Sequence, residues 1–167
     1  MNGVKAKDAF KVFVASGFGL GLSPIVPGSF GALTGLAFHF AGAWCFDDTL
    51  CERVWCLTGA VLFAAVHYAL NDWAQKWWRD PDPRHFVHDE IVGYLMVPVF
   101  MLPQTPMAEW WHMLAGFCLF RVFDAIKLPG ARWIDRNVHT AHGVLFDDVV
   151  SAAYTALVLS AVLWWMK

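Results

Sequence analysis

Two acidic pairs, Asp89–Glu90 and Asp147–Asp148, each stand immediately before an apolar run of the chain. Helix capping explains one acid at such a place, because an N-terminal carboxylate accepts backbone N–H bonds and complements the helix dipole, a gain of about 0.5–2 kcal/mol. Here two acids stand at each place. Hard carboxylate oxygens of this kind suit magnesium, which binds through one or two carboxylates, water and substrate phosphate. A third group, Arg121, Asp124 and Lys127, follows at i, i+3 and i+6, roughly on one helical face. A solvated ion-pair stripe accounts for it equally well. The chemical reading puts Asp124 on a metal and Arg121 or Lys127 on phosphate, as a planar fork or a point charge. His88, His139 and His142 lie close to these acids in the chain, where any of them could act as a general acid or base.

Residues 16–31, SGFGLGLSPIVPGSFG, disfavour a continuous helix and are expected to form a loop dipping into the protein. Such a loop can turn its amides toward an anion. It lacks the GxxxxGK[ST] nucleotide pattern, and glycines also serve close helix packing in membranes. No CxxxxxR, DxDxT or KxxxxxxRP pattern is present, so cysteine, aspartyl-phosphate and histidine-nucleophile phosphatase mechanisms have no carrier. Metal-assisted attack by water remains.

The elements that must position these residues are apolar helices. The chain of 167 residues is 58% hydrophobic and 16% charged, with a mean hydropathy of +0.47, outside the ordinary soluble range. Segments 12–46, 54–71, 91–108 and 149–166 contain no Asp, Glu, Lys or Arg. At about 20 residues per crossing, each is close to the length of a span. The expectation is an all-α, polytopic bundle of four to five hydrophobic segments in a single domain over residues 1–167, with the Gly/Pro-rich loop near its cytoplasmic face. The first apolar run is too long and glycine-rich for a signal peptide, so no processing is expected. Lys5, Lys7 and Lys11 place the N-terminus inside, 31–46 crosses outward to an exterior loop at 47–53 that holds Glu52, and 54–70 returns to a segment carrying Lys76, Arg79 and Arg84. The shortest crossing, 91–102, leaves again and ends at Pro103, and 111–122 comes back to Lys127, Arg132 and Arg136, with Arg53 and Lys167 as the exceptions. Nine of the fourteen carboxylates then share the cytoplasmic side: Asp72, Asp80, Asp82, Asp89, Glu90, Asp124, Asp135, Asp147 and Asp148. Acids at the mouth of a membrane bundle are costly unless paired or bound to a cation.

A net charge of -2 with no basic block argues against a nucleic-acid partner. The cysteines, at 45, 51, 56 and 118, read as buried thiols, with a Cys45–Cys51 disulfide as the lesser alternative. Tryptophans at Trp44, Trp77, Trp78, Trp110, Trp111, Trp164 and Trp165 stand near span ends as interfacial anchors. A divalent-cation or proton-coupled transporter is the rival reading, since acids and broken helices also mark transporters. A transporter, however, would place its acids near the midplane of a duplicated chain, and no repeat is visible.

Three blocks, GFGLGLSPIVPGSFG (17–31), HDEIVG (88–93) and FRVFDAIKLPGARWIDRNVHTAHGVLFDDVVSA (120–152), resemble the phosphatidylglycerophosphatase A family in the same order and cover about a third of the chain. The resemblance implies a magnesium-dependent enzyme of the bacterial inner membrane. It would remove the terminal phosphate of phosphatidylglycerol phosphate on the cytoplasmic side, in phospholipid biosynthesis. The family's acidic positions fall on Asp82, Asp89, Glu90, Asp124, Asp135, Asp147 and Asp148, with Arg121 and Lys127 as the matched basic positions. On this reading Asp89, Glu90, Asp124 and Asp148 are catalytic. Together with Asp147 they hold magnesium, with Asp82 at or beside the metal and Asp135 next to it. Arg121, Lys127, Gly28, Ser29 and Gly31 are the expected phosphate-binding residues. The chain departs from the family where Leu128, Pro129 and Gly130 follow Lys127 and where His142 replaces a small or apolar residue.

Overall fold

The computed structural model of the chain describes residues 6–102 and 109–166, and these are helical, with no strand among them. Lys5, Pro103 and Lys167, which entered the topology reading, lie outside the described residues. In chain order the helices are α1 (Ala6–Ala15), α2 (Pro27–Cys45), α3 (Thr49–Trp78), α4 (His88–Phe100), α5 (Trp110–Ile126), α6 (Ala131–Asn137) and α7 (Ala141–Trp165).

Helix α4 is the centre. Its sequence is apolar on every side after the first turn, and such a helix can only be buried. Ile91, Val92, Tyr94, Leu95 and Val97 are all enclosed, chiefly by α7, α3 and α2. The outer helices turn apolar residues the other way: Leu57, Val61 and Leu62 on α3 and Leu157, Val162 and Trp164 on α7 are exposed. Only 22% of the most apolar stretch of α3 is buried inside the protein, and 50% of that of α7. A core helix of a water-soluble protein would be covered; these faces suit lipid.

The expected four to five spans are met by two helices, α3 and α7, that are long and apolar enough to cross a bilayer. The other apolar segments do form helices, but α4 and α5 have 13 and 17 residues, and α2, with 19, dilutes its apolar character with glycine, Ser29, Thr34 and His39. At about 1.5 Å per residue α4 is roughly 20 Å long, with Pro98 inside it. The glycine-rich loop is also shorter than expected. It ends at Val26, and Pro27, whose fixed φ and missing N–H suit a first helical position, starts α2 there. Gly28, Ser29 and Gly31 therefore belong to a helix, not to the loop. The cysteines are free thiols; Cys56 is buried and Cys45, Cys51 and Cys118 are exposed.

At the end of the bundle that carries Arg53 and Leu102, one polar network joins four helices. His39 of α2 lies 2.6 Å from Glu52 of α3 through Nε2 and 3.0 Å from the Tyr94 hydroxyl of α4 through Nδ1. Tyr94 donates to the Met113 carbonyl of α5 at 3.3 Å. The sequence placed Glu52 in an exterior loop, but it lies in the first turn of α3 and is 2% exposed. A buried carboxylate is tolerated when it is paired and hydrogen-bonded. Removing one partner of such a pair costs about 3–5 kcal/mol, since it strands the other. Glu52→Ala should lower the unfolding free energy in detergent by an amount of that order, and an unchanged unfolding curve would show that the network does not hold these helices together.

Candidate functional site

Chain direction alternates through the bundle, so the starts of α2, α4 and α7 and the ends of α3 and α5 meet at one end. They enclose a cleft of about 550 Å³. Its acidic lining is Asp82, Asp89, Glu90, Asp124, Asp135, Asp147 and Asp148; its basic lining is Arg84, Arg121 and Lys127. Seven of the nine carboxylates expected on one side therefore share one cavity. Asp80 instead accepts from the Asp82 amide at 3.1 Å, and Asp72 from Asn71 at 3.4 Å.

The acidic pairs are not caps. Helix α7 begins at Ala141, and its N-cap is Thr140, whose hydroxyl accepts from the Gly143 amide at 3.4 Å. Asp147 and Asp148 lie in the second turn, each 3% exposed. Helix α4 starts after Val87 with no side-chain cap, and Asp89 and Glu90 occupy its first turn. Asp89 Oδ1, Glu90 Oε2 and Asp148 Oδ2 are buried without a hydrogen-bond partner. Gly93 brings two of these elements together. A Cβ there would sit 2.6 Å from the Phe120 ring and 2.9 Å from Asp148 Cβ, so only glycine lets α7 come close enough to set Asp148 beside α4.

The cations of α5 are engaged differently. Arg121 lies 2.9 Å from Asp124 Oδ2, a charge contact along the helix, and donates through Nε to the Ser29 hydroxyl at 3.1 Å. Lys127 is the left-handed C-cap of α5, which swings its chain back over the cleft. Its ammonium donates to Asp135 Oδ1 at 2.9 Å and to Asp147 Oδ2. Burial alone would lower the Lys127 pKa, but the hydrogen bonds to Asp147 and Asp135 outweigh it and raise the pKa above that of an ordinary lysine. Lys127 is charged throughout the physiological range.

Among the described residues no three His, Cys, Asp or Glu side chains form a ready-made metal cage. Magnesium does not require one, because water and substrate phosphate complete its shell. The unpaired oxygens of Asp89, Glu90 and Asp148 are donors of the right kind. Asp124 and Asp147 are each tied to a cation, and Asp82 and Asp135 are exposed on the cleft wall. Of the expected phosphate-binding residues, Gly28 lines the cleft, Ser29 holds Arg121, and Gly31 packs against Val87 outside it. His88 contacts the Val14 carbonyl at 3.0 Å and His142 the Tyr68 hydroxyl at 2.9 Å; only His139 of the three lines the cleft. The sequence reading used Arg84 only to orient the chain and gave Ser29 no link to Arg121; the contact spans 92 residues and leaves no local trace.

Gly28 is the tightest point of the site. A Cβ there would overlap Glu90 Oε1 and lie 2.9 Å from Arg121 Nη2. Displacing reacting groups by about 1 Å can cost about a hundredfold in rate. Gly28→Ala should therefore cut kcat/KM by tenfold to a hundredfold with an unfolding curve close to wild type; wild-type kinetics would mean that Glu90 and Arg121 need not hold these positions.

Comparisons with known proteins identify the family of the chain. The family described as phosphatidylglycerophosphatase A matches residues 13–163. A protein of Escherichia coli K12 named phosphatidylglycerophosphatase A is 34% identical over 146 residues, 87% of this chain and 79% of its own length. One of the same name from Haemophilus influenzae is 31% identical over 156 residues, 92% of this chain and 88% of its own. A Bacteroides thetaiotaomicron protein named "Putative phosphatidylinositol-3-phosphatase" is 31% identical over 165 residues, 96% of this chain and 98% of its own. No solved structure matches. The transporter reading finds no support in these relatives, which are named as phosphatases. With the acids of the second and third blocks, Arg121 and Lys127 of the third, and Gly28 of the first lining one cleft, and the family match running through nearly the whole helical chain, the protein belongs to the phosphatidylglycerophosphatase A family.

Proposed function

We propose that this phosphatase hydrolyses the terminal phosphomonoester of phosphatidylglycerol phosphate in a magnesium-dependent reaction, giving phosphatidylglycerol and inorganic phosphate. The observation that carries the reading is the set of buried, unpartnered carboxylate oxygens on Asp89, Glu90 and Asp148 in a cleft that also holds Arg121 and Lys127. Buried carboxylates without partners call for a cation, and the two side-chain cations call for an anion.

A divalent cation, when bound, neutralises charge on the phosphoryl oxygens and acidifies water. The chain's own residues do the rest. Asp89, Glu90 and Asp148 are the residues that would hold such a cation. Arg121, fixed by Ser29 and Asp124, faces the phosphoryl oxygens with its remaining N–H groups. Lys127 keeps Asp147 and Asp135 in place and adds positive charge where the phosphoryl group becomes more negative. Water attacks phosphorus, the bond from phosphorus to the glycerol oxygen breaks, and that oxygen takes up a proton and leaves as an alcohol. The acyl chains never enter the cleft, so an opening toward the bilayer is enough.

The proposal extends to location. The last turn of α3, the loop after it and α6, all at the cleft end, carry Lys76, Arg79, Arg84, Arg132 and Arg136, the sign expected of a cytoplasmic face. A multi-pass protein of the bacterial inner membrane, with its cleft on the cytoplasmic side, fits this charge and the outward apolar faces of α3 and α7.

Purified protein in detergent should release phosphate from phosphatidylglycerol phosphate with magnesium and stop with EDTA. Phosphatidic acid and phosphatidylinositol 3-phosphate serve as comparison substrates. Preference for the inositol lipid would reassign the headgroup, and folded protein that releases phosphate from none of the three would overturn the reading. Asp148→Asn should lower kcat by roughly a hundredfold or more, the scale on which loss of one preorganised charge-stabilising group is felt; activity within a few-fold of wild type would remove Asp148 from the site.

A further inference from the structure

Arg84 differs from the other two cations of the cleft. Arg121 is held by Asp124 and Ser29, and Lys127 by Asp135 and Asp147. Arg84 lines the same cleft, yet its guanidinium has no acceptor and no ion pair among the described residues, although Asp82 and Asp89 line that cleft too.

Its backbone is fixed all the same. The Pro81 carbonyl accepts from the Gln75 side-chain Nε2 at 2.7 Å, and Asp80 Oδ1 accepts from the Asp82 backbone amide at 3.1 Å. The Pro83 carbonyl accepts from the Phe86 amide at 2.7 Å, and His85 Nδ1 contacts the Gly21 carbonyl at 2.7 Å. Pro81 and Pro83 lock their own φ angles. A pinned loop thus presents an exposed, uncommitted guanidinium at the wall of the cleft.

We propose that Arg84 binds the phosphodiester of the lipid substrate, a second phosphate subsite beside the one that takes the terminal phosphomonoester. The proposal rests on the reading of the cleft as a lipid phosphomonoesterase site. Such a substrate carries two phosphates. The monoester goes to the buried acids, with Arg121 and Lys127, and the diester, which stays joined to the diacylglycerol, lies nearer the lipid and the cleft rim. A guanidinium fork matches the two free oxygens of a phosphodiester. The diester keeps all its bonds in the reaction, so Arg84 is a binding residue that touches no reacting atom.

Phosphatidylglycerol, the product, retains the diester and lacks the monoester; inorganic phosphate is the reverse. Their inhibition constants therefore report the two subsites separately. The assay follows phosphate release by full-length protein in neutral detergent micelles at fixed lipid mole fraction, which keeps a charged surface from contributing. Arg84→Ala should raise the inhibition constant of phosphatidylglycerol about tenfold or more, the scale of one charge-assisted contact, and leave that of inorganic phosphate unchanged. Arg84→Lys should fall between, keeping the charge and losing the fork. Unchanged inhibition by phosphatidylglycerol, equal weakening of both inhibitors, or a wild-type enzyme that phosphatidylglycerol does not inhibit would each overturn the subsite. Absence of phosphate release by the wild-type protein would instead overturn the underlying reading.

Discussion

Carboxylate oxygens of Asp89, Glu90 and Asp148, buried without a hydrogen-bond partner, impose the constraint on which the rest of this structure depends. Asp148 is held against α4 by a helix approach that only Gly93 permits, and Asp89 and Glu90 stand in the first turn of the most enclosed helix of the bundle. Leaving oxygens there without partners is unfavourable for the folded protein alone and becomes favourable when a cation and an anionic substrate arrive together. The neighbouring acids are treated differently. Asp124 and Asp147 are tied to Arg121 and Lys127, which keeps those cations in the cleft and leaves three oxygens for a ligand.

The two ends of the bundle use polar groups in opposite ways. Away from the cleft, His39, Glu52 and Tyr94 satisfy one another and tie α2, α3, α4 and α5 together. At the cleft Asp89, Glu90 and Asp148 each keep one oxygen unsatisfied. Helix α4 contributes to both, with Tyr94 in one and Asp89 and Glu90 in the other.

Much of this was legible in the sequence for simple reasons. Charge-free runs mark the helices, and basic loops mark the side to which Asp82, Asp89, Glu90, Asp124, Asp135, Asp147 and Asp148 converge. Local rules failed where tertiary packing decided. Asp147 and Asp148 stand before an apolar run, which suggests a helix start there, but α7 starts at Ala141, and Thr140 was the signal for that start. Proline at the first helical position moved the start of α2 to Pro27 and took Gly28 and Ser29 out of the loop. Glu52 read as exterior because a paired buried acid looks the same in sequence as a solvated one. Arg84 read as a topological charge because its significance lies in having no partner, and partners across the fold are not written in the chain.

The most direct test of the central claim is manganese binding to the purified protein, followed by electron paramagnetic resonance with and without a phosphomonoester lipid. If the unpaired oxygens form a cation site, the wild-type protein binds manganese, magnesium competes for it, and the lipid tightens it, while Asp89→Asn and Asp148→Asn each weaken it in protein with a normal unfolding curve. Manganese affinity that neither substitution changes would contradict the account and place the cation, and the chemistry it supports, elsewhere.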